Sequence, residues 1–138
     1  MNSKKAILSY AKNTIIDESV AISKIADLLD HSFADAVELI FNSRGRVIIT
    51  GIGKSAIIAN KIVATLNSTG TPAIFMHAAD AIHGDLGTIL EQDVVICISK
   101  SGTTPEIKVL VPLIKVRGNK LVAITSNSDS FLGQQADF

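Results

Sequence analysis

Three short segments hold residue types that could bind an anion and move protons. The first is Thr50-Gly51-Ile52-Gly53-Lys54-Ser55. Glycines let the backbone turn tightly, and a helix opening at that point presents unpaired N–H groups to an anion such as phosphate. The nucleotide P-loop needs a further glycine five positions before Gly53, and Ile48 stands there. The dinucleotide fingerprint needs a third glycine three positions after Gly53, where the chain has Ala56, and an acidic residue after the next strand, where it has Met76-His77. Both nucleotide readings fail. A tight strand-to-helix turn with an exposed lysine stays open as the plain alternative to a phosphate site.

The second segment is Ser99-Lys100-Ser101-Gly102-Thr103-Thr104-Pro105-Glu106. Four hydroxyls, a glycine and a following helix start can supply several hydrogen bonds to a phosphate monoester, and bonds to a charged acceptor are the stronger kind. The helix dipole adds about 0.3–1 kcal/mol. No arginine cluster is required. The alternative is a polar loop in which Thr103 or Thr104 caps the helix. Glu106 falls in the first helical turn, where acidic residues are common. It also faces the rim where the anion would sit, so it is a candidate base.

The third segment, His77 to Gly87, carries two of the three histidines. A His-x5-His spacing is not a helical i, i+4 pair and has no obvious third ligand, so no metal is expected. His83, followed by Gly84-Asp85-Leu86-Gly87, is the catalytic candidate, because imidazole exchanges protons near neutral pH. His77 reads as a strand-end residue bonded to backbone. His31, between two helices, reads as structural.

The elements that must position these residues follow from periodicity. Apolar residues three and four apart predict an amphipathic helix over 4–29 and a second over 32–42, with Ser32 as its N-cap. The first is long for a globular helix and is expected to pack on a neighbouring subunit. Continuous β-branched runs then predict buried strands at 46–51, 71–76, 93–99 and 120–125. Between them lie a helix from Gly53 to Leu66, a short helix or turn over 80–86, and a helix from Thr104 to Val116 with Pro105 in its first turn. The stretch from Ser126 to Phe138 reads as loop with room for a short helix. Alternating strands and helices specify an α/β fold with a parallel sheet and helices on both faces. Ligands bind such sheets beyond the C-terminal strand ends, which selects the loops 51–55, 77–87 and 99–106.

Composition narrows the classes further. The 138 residues suit a single domain, with 47% hydrophobic and 19% charged residues. Mean hydropathy is +0.38, high for a small soluble chain, which points to strands buried on both faces or surface hidden in an oligomer. Thirteen basic and thirteen acidic residues give no net charge, so a nucleic-acid partner is not expected. Cys97 is the sole cysteine and reads as a core strand residue. No apolar run approaches the ~18–20 residues of a membrane span, and the start of the chain lacks a signal core, so the expected compartment is the cytoplasm.

Taken together, Gly51-Ile52-Gly53-Lys54-Ser55, Ala81-Ile82-His83-Gly84-Asp85-Leu86-Gly87 and Ser99-Lys100-Ser101-Gly102 with Glu106 resemble the sugar isomerase (SIS) family, more narrowly its arabinose-5-phosphate isomerases. The resemblance runs from the leading helix to Thr125. It implies a three-layer αβα, flavodoxin-like parallel sheet with leading N-terminal helices, no cofactor, and a homo-oligomer, a tetramer. It also implies interconversion of D-ribulose 5-phosphate and D-arabinose 5-phosphate, the entry to Kdo for lipopolysaccharide. By position, Ser55, Ser99, Lys100, Ser101 and Thr104 would hold the substrate phosphate, and Lys54, His83 and Glu106 would do the chemistry. The chain departs from the family pattern at Thr103, where glutamate is common. It also ends at Phe138, before a downstream histidine, a final strand and helix, and the paired CBS modules of many members. The expectation is one SIS domain over residues 1–138, shortened at its C-terminus and without a CBS pair. A phosphosugar-sensing module and a hexulose-phosphate isomerase are the competing members of the scaffold.

Overall fold

The computed structural model describes residues 3–138. It divides into a leading helical unit ending at Ala34 and a sheet-bearing unit, Asp35–Phe138. In the leading unit, α1 (Lys4–Ile25) is capped by Ser3, whose hydroxyl accepts from the Ala6 amide, and none of its residues is buried. The expected helix to Leu29 stops short. A 3₁₀ turn, Ala26–Leu28, follows Ile25, and Leu29 is extended at φ −73° and ψ 124°. Helix α2 (His31–Asn42) opens on Asp30, whose carboxylate accepts from the Phe33 amide at 3.3 Å. Asp30 therefore takes the capping role expected of Ser32, and His31 is an exposed first-turn residue.

The sheet-bearing unit holds four parallel strands: β1 (Val47–Gly51), β2 (Ala73–His77), β3 (Val94–Ile98) and β4 (Leu121–Ile124), in the order β2-β1-β3-β4. Between them run α3 (Lys54–Ser68), the short α4 (Ala78–Ala81), a 3₁₀ turn (Asp85–Thr88) and α5 (Pro105–Val116). Every residue of β1 and β3 is buried, as their unbroken β-branched runs require. Successive strand side chains go to opposite faces. Ile48, Val95, Cys97 and Leu121 meet α5 through Ile107, Leu110, Val111 and Ile114. Val47, Ile49, Val94, Ile96 and Val122 meet Ala36, Leu39 and Ile40 of α2 and Ala59, Ile62 and Val63 of α3. The unit is thus a three-layer αβα domain. Cys97 lies in its core, where burial pushes the thiol up to about 12, so it is no nucleophile at neutral pH.

The register sets the site. Gly51 is level with His77 on one side and Ile98 on the other, so three loops leave the sheet from one rim. The opposite rim is tied by Asp93, only 2% exposed. Its carboxylate accepts from the Arg46 amide at 2.8 Å, from Arg46 Nε at 3.2 Å and Nη2 at 2.6 Å, and from the Leu90 amide at 2.8 Å.

The tail is more ordered than a loop. Ser130 caps α6 (Phe131–Gln135) by accepting from the Gly133 amide at 3.2 Å. Residues 137–138 then run beside β4. The Asp137 amide donates to the Leu121 carbonyl at 2.8 Å and the Ala123 amide to the Phe138 carbonyl at 2.8 Å. Asp137 also accepts from Lys115 Nζ at 3.1 Å, Lys120 Nζ at 3.3 Å and the Leu121 amide at 2.9 Å.

Candidate functional site

At the C-terminal rim, a pocket of about 410 Å³ is lined by Ile52, Ser55, Ser99, Lys100, Ser101, Thr104 and Ser126. All five residues assigned to phosphate from the sequence are among them. The turn that delivers Ser55 depends on Gly53, which has φ +58°, a conformation that side-chain-bearing residues avoid. Lys54 and Ser55 follow as the first two residues of α3.

The serine loop folds back on itself. Ser99 Oγ accepts from the Gly102 amide at 3.1 Å and Ser101 Oγ accepts from the Thr103 amide at 3.4 Å. Each hydroxyl therefore keeps its proton to donate. Thr104 is the N-cap residue of α5, yet its side chain makes no capping bond, and its buried hydroxyl has no partner within the described residues. A buried unpaired hydroxyl costs about 1–3 kcal/mol, and the Thr104 hydroxyl is thus left without a partner at the pocket wall. The capping alternative for Thr104 therefore does not describe what its hydroxyl does.

The loop is also fastened from behind. The Leu132 amide donates to the Gly102 carbonyl at 3.0 Å. Gly102 itself has φ +65°, and a Cβ there would overlap the Ser130 side chain. Gly102→Ala is expected to weaken the phosphate binding proposed below by about fivefold or more, because strain of ~1–3 kcal/mol and the clash both displace the loop. Titration with inorganic phosphate, followed by NMR, checks this. An affinity equal to that of the unaltered chain would contradict it.

Lys54, His83 and Glu106 rise from the ends of β1, β2 and β3 respectively. Lys54 is exposed, Glu106 is half-buried in the first turn of α5, and His83 is exposed in the turn after α4, its amide donating to the Asp80 carbonyl at 2.9 Å. No hydrogen bond or ion pair joins these three side chains to one another among the described residues. The register puts their three loops at one rim of the sheet, and none of the three residues lines the pocket itself. His77 ends β2, but its ring is not bonded to backbone. Nδ1 is buried without a hydrogen bond and lies 3.8 Å from Asp80 Oδ2.

Ser126 was outside the three loops selected from the sequence. It follows β4, and the rule that pointed to C-terminal strand ends applies equally there. A larger hollow, about 770 Å³, opens at the opposite rim among residues that precede β1, β3 and β4, including Arg44, Gln92 and Lys120. It lies far from the strand ends at which α/β sheets bind ligands. No helix among the described residues is long and apolar enough to cross a membrane.

The parallel αβα sheet with a serine-rich loop at its C-terminal rim places the chain among three-layer α/β domains, and the chain belongs to the SIS domain family, whose model matches residues 39–138. It is 44% identical over 132 residues to the arabinose 5-phosphate isomerase KpsF of Escherichia coli O6:H1 (strain CFT073), a match covering 95% of this chain and 40% of that protein. It is 42% identical over 137 residues to the arabinose 5-phosphate isomerase KdsD of Pseudomonas aeruginosa, covering 99% of this chain and 42% of that one. The chain thus spans about two fifths of the length of these curated relatives. A solved Escherichia coli CFT073 protein in complex with arabinose 5-phosphate superposes with a TM-score of 0.92 at 38% identity, over 100% of this chain and 73% of that one.

Proposed function

We propose that this chain is the isomerase domain of an arabinose-5-phosphate isomerase, interconverting D-ribulose 5-phosphate and D-arabinose 5-phosphate through an enediolate. The observation that carries the reading is the pocket in which Ser55, Ser99, Lys100, Ser101 and Thr104 converge, with the unpaired Thr104 hydroxyl in its wall. The names of the relatives and the arabinose 5-phosphate bound in the similar structure support the same substrate.

In the proposed reaction the pocket holds the phosphate and so fixes C1 and C2 of the open-chain sugar against the neighbouring rim. The Glu106 carboxylate takes the proton from C1 of the ketose and returns it to C2. Lys54 stabilises negative charge on the enediolate oxygen. His83 carries the hydroxyl proton from O1 to O2 and assists opening of the aldose ring. The scheme needs no cofactor. We assign it to one SIS domain in the cytoplasm, supplying the Kdo precursor of lipopolysaccharide. The assembly is a homo-oligomer, a tetramer; the exposed Ile7, Leu8, Ile15, Ile16 and Ile22 of α1 supply apolar surface for a neighbouring copy.

The test is proton exchange. Ribulose 5-phosphate in D2O with this chain should gain deuterium and yield arabinose 5-phosphate, followed by NMR. Line broadening of substrate signals without exchange would leave a phosphosugar-binding module and overturn the enzymatic reading.

A further inference from the structure

The hydroxyls around the pocket do not share one polarity. Ser99 and Ser101 each accept a backbone N–H, so their protons are free to point at a ligand. Ser126 is bonded the other way. Its Oγ lies 2.6 Å from the Lys100 carbonyl, which also accepts from the Ser126 amide at 3.1 Å and from Thr125 Oγ1 at 3.3 Å. A carbonyl oxygen has no hydrogen, so the Ser126 hydroxyl must be the donor in that short bond. Its single proton is then committed, and only lone pairs remain for the pocket that Ser126 lines.

This polarity decides what Ser126 can bind. A phosphate dianion offers only acceptor oxygens, and a lone pair facing it is repulsive. A sugar hydroxyl offers a proton. Resting on the phosphosugar reading above, we propose that Ser126 is a specificity-determining residue that accepts a hydrogen bond from a hydroxyl of the sugar chain. The pocket thus has a donor wall for phosphate, built from Ser99, Ser101 and Thr104, and an acceptor at its β4 edge for the carbon chain. Ser126 is exposed and the Lys100 carbonyl keeps its bond from the Ser126 amide whatever the side chain is, so its replacement leaves the loop anchored.

The experiment compares the affinities of inorganic phosphate and ribulose 5-phosphate, measured by NMR titration, in the unaltered chain, Ser126→Ala and Ser101→Ala. Ser126→Ala is expected to weaken ribulose 5-phosphate by about three- to tenfold, the size of one neutral hydrogen bond, with phosphate unchanged. Ser101→Ala, which removes a phosphate donor, should weaken both by the same factor. Ser126→Thr keeps the hydroxyl and should restore the preference for the sugar phosphate. Equal loss of both ligands in Ser126→Ala would make Ser126 a phosphate ligand and overturn the proposal, as would no loss of either. Failure of the unaltered chain to bind phosphate at all would instead overturn the phosphate pocket, and this inference with it.

Discussion

Glu106→Gln should lower isomerisation about 10²–10⁴-fold, the contribution of one positioned general base. Glutamine keeps the shape of the side chain and its place in the first turn of α5, but an amide cannot take a proton from carbon. The pocket proposed to hold phosphate is lined by Ser55, Ser99, Lys100, Ser101 and Thr104, none of which leans on the Glu106 side chain for a hydrogen bond. The loss should therefore fall on kcat while inorganic phosphate binds as before. Deuterium incorporation into ribulose 5-phosphate should disappear together with turnover. A variant that still exchanged the carbon-bound proton at the unaltered rate would remove Glu106 from the scheme and send the search for the base to another group on the rim.

The second large effect is on stability, at the end of the sheet away from the pocket. Asp93→Ala should destabilise the sheet-bearing unit by about 3–5 kcal/mol, the usual cost of breaking a buried ion pair from one side. The side chain of Asp93 is fully buried, while that of Arg46 is 29% exposed, so water recovers part of the guanidinium's loss and the lower end of that range is expected. The amides of Arg46 and Leu90 lose their acceptor as well. Burial by itself would raise the Asp93 pKa. The hydrogen bond from the Arg46 side chain, those from the Leu90 and Arg46 amides, and the guanidinium charge outweigh it, and the net shift is downward.

A depressed folded-state pKa fixes the sign of the pH dependence. The unfolded carboxylate takes up its proton first, so the stabilisation is complete above the unfolded value of about 3.9 and fades as pH falls through the lower folded value. Asp137 is depressed in the same direction. Its burial is offset by the Leu121 amide and by Lys115 and Lys120, so it adds to the same acid-side loss. Urea denaturation at pH 7 and at pH 3 reads both points. The gap between the unaltered chain and Asp93→Ala should narrow at the lower pH. A gap that stayed constant would mean the carboxylate charge contributes nothing and the loss is one of packing.

Much of the fold and of the candidate site was legible because its segments are local. Gly51-Ile52-Gly53-Lys54-Ser55 and the serine loop each place donors, glycine and a helix start within a few consecutive residues, and β-branched runs such as Val94-Val95-Ile96 announce strands buried on both faces. The parallel αβα architecture follows from their alternation with helices, and local order also settled Pro105 at the start of α5. Where two neighbours compete for one local role, residue type alone decided less. Asp30 and Ser32 are both good caps, and only the position of the Phe33 amide selects Asp30.

What tertiary structure decided are the relations between residues far apart in the chain. The register that levels Gly51 with His77 and Ile98 brings three loops to one rim, and no single segment encodes it. Asp93 reads in sequence as the first residue of a strand, but its charge is held by Arg46, 47 residues earlier. Ser126 looks like an ordinary loop serine until its hydroxyl is found on the carbonyl of Lys100, 26 residues away. Helix propensity and strand pattern come from neighbours along the chain and can be read there. Hydrogen-bond polarity, burial of a charge and the closure of a pocket come from neighbours in space, and these exist only once the chain has folded.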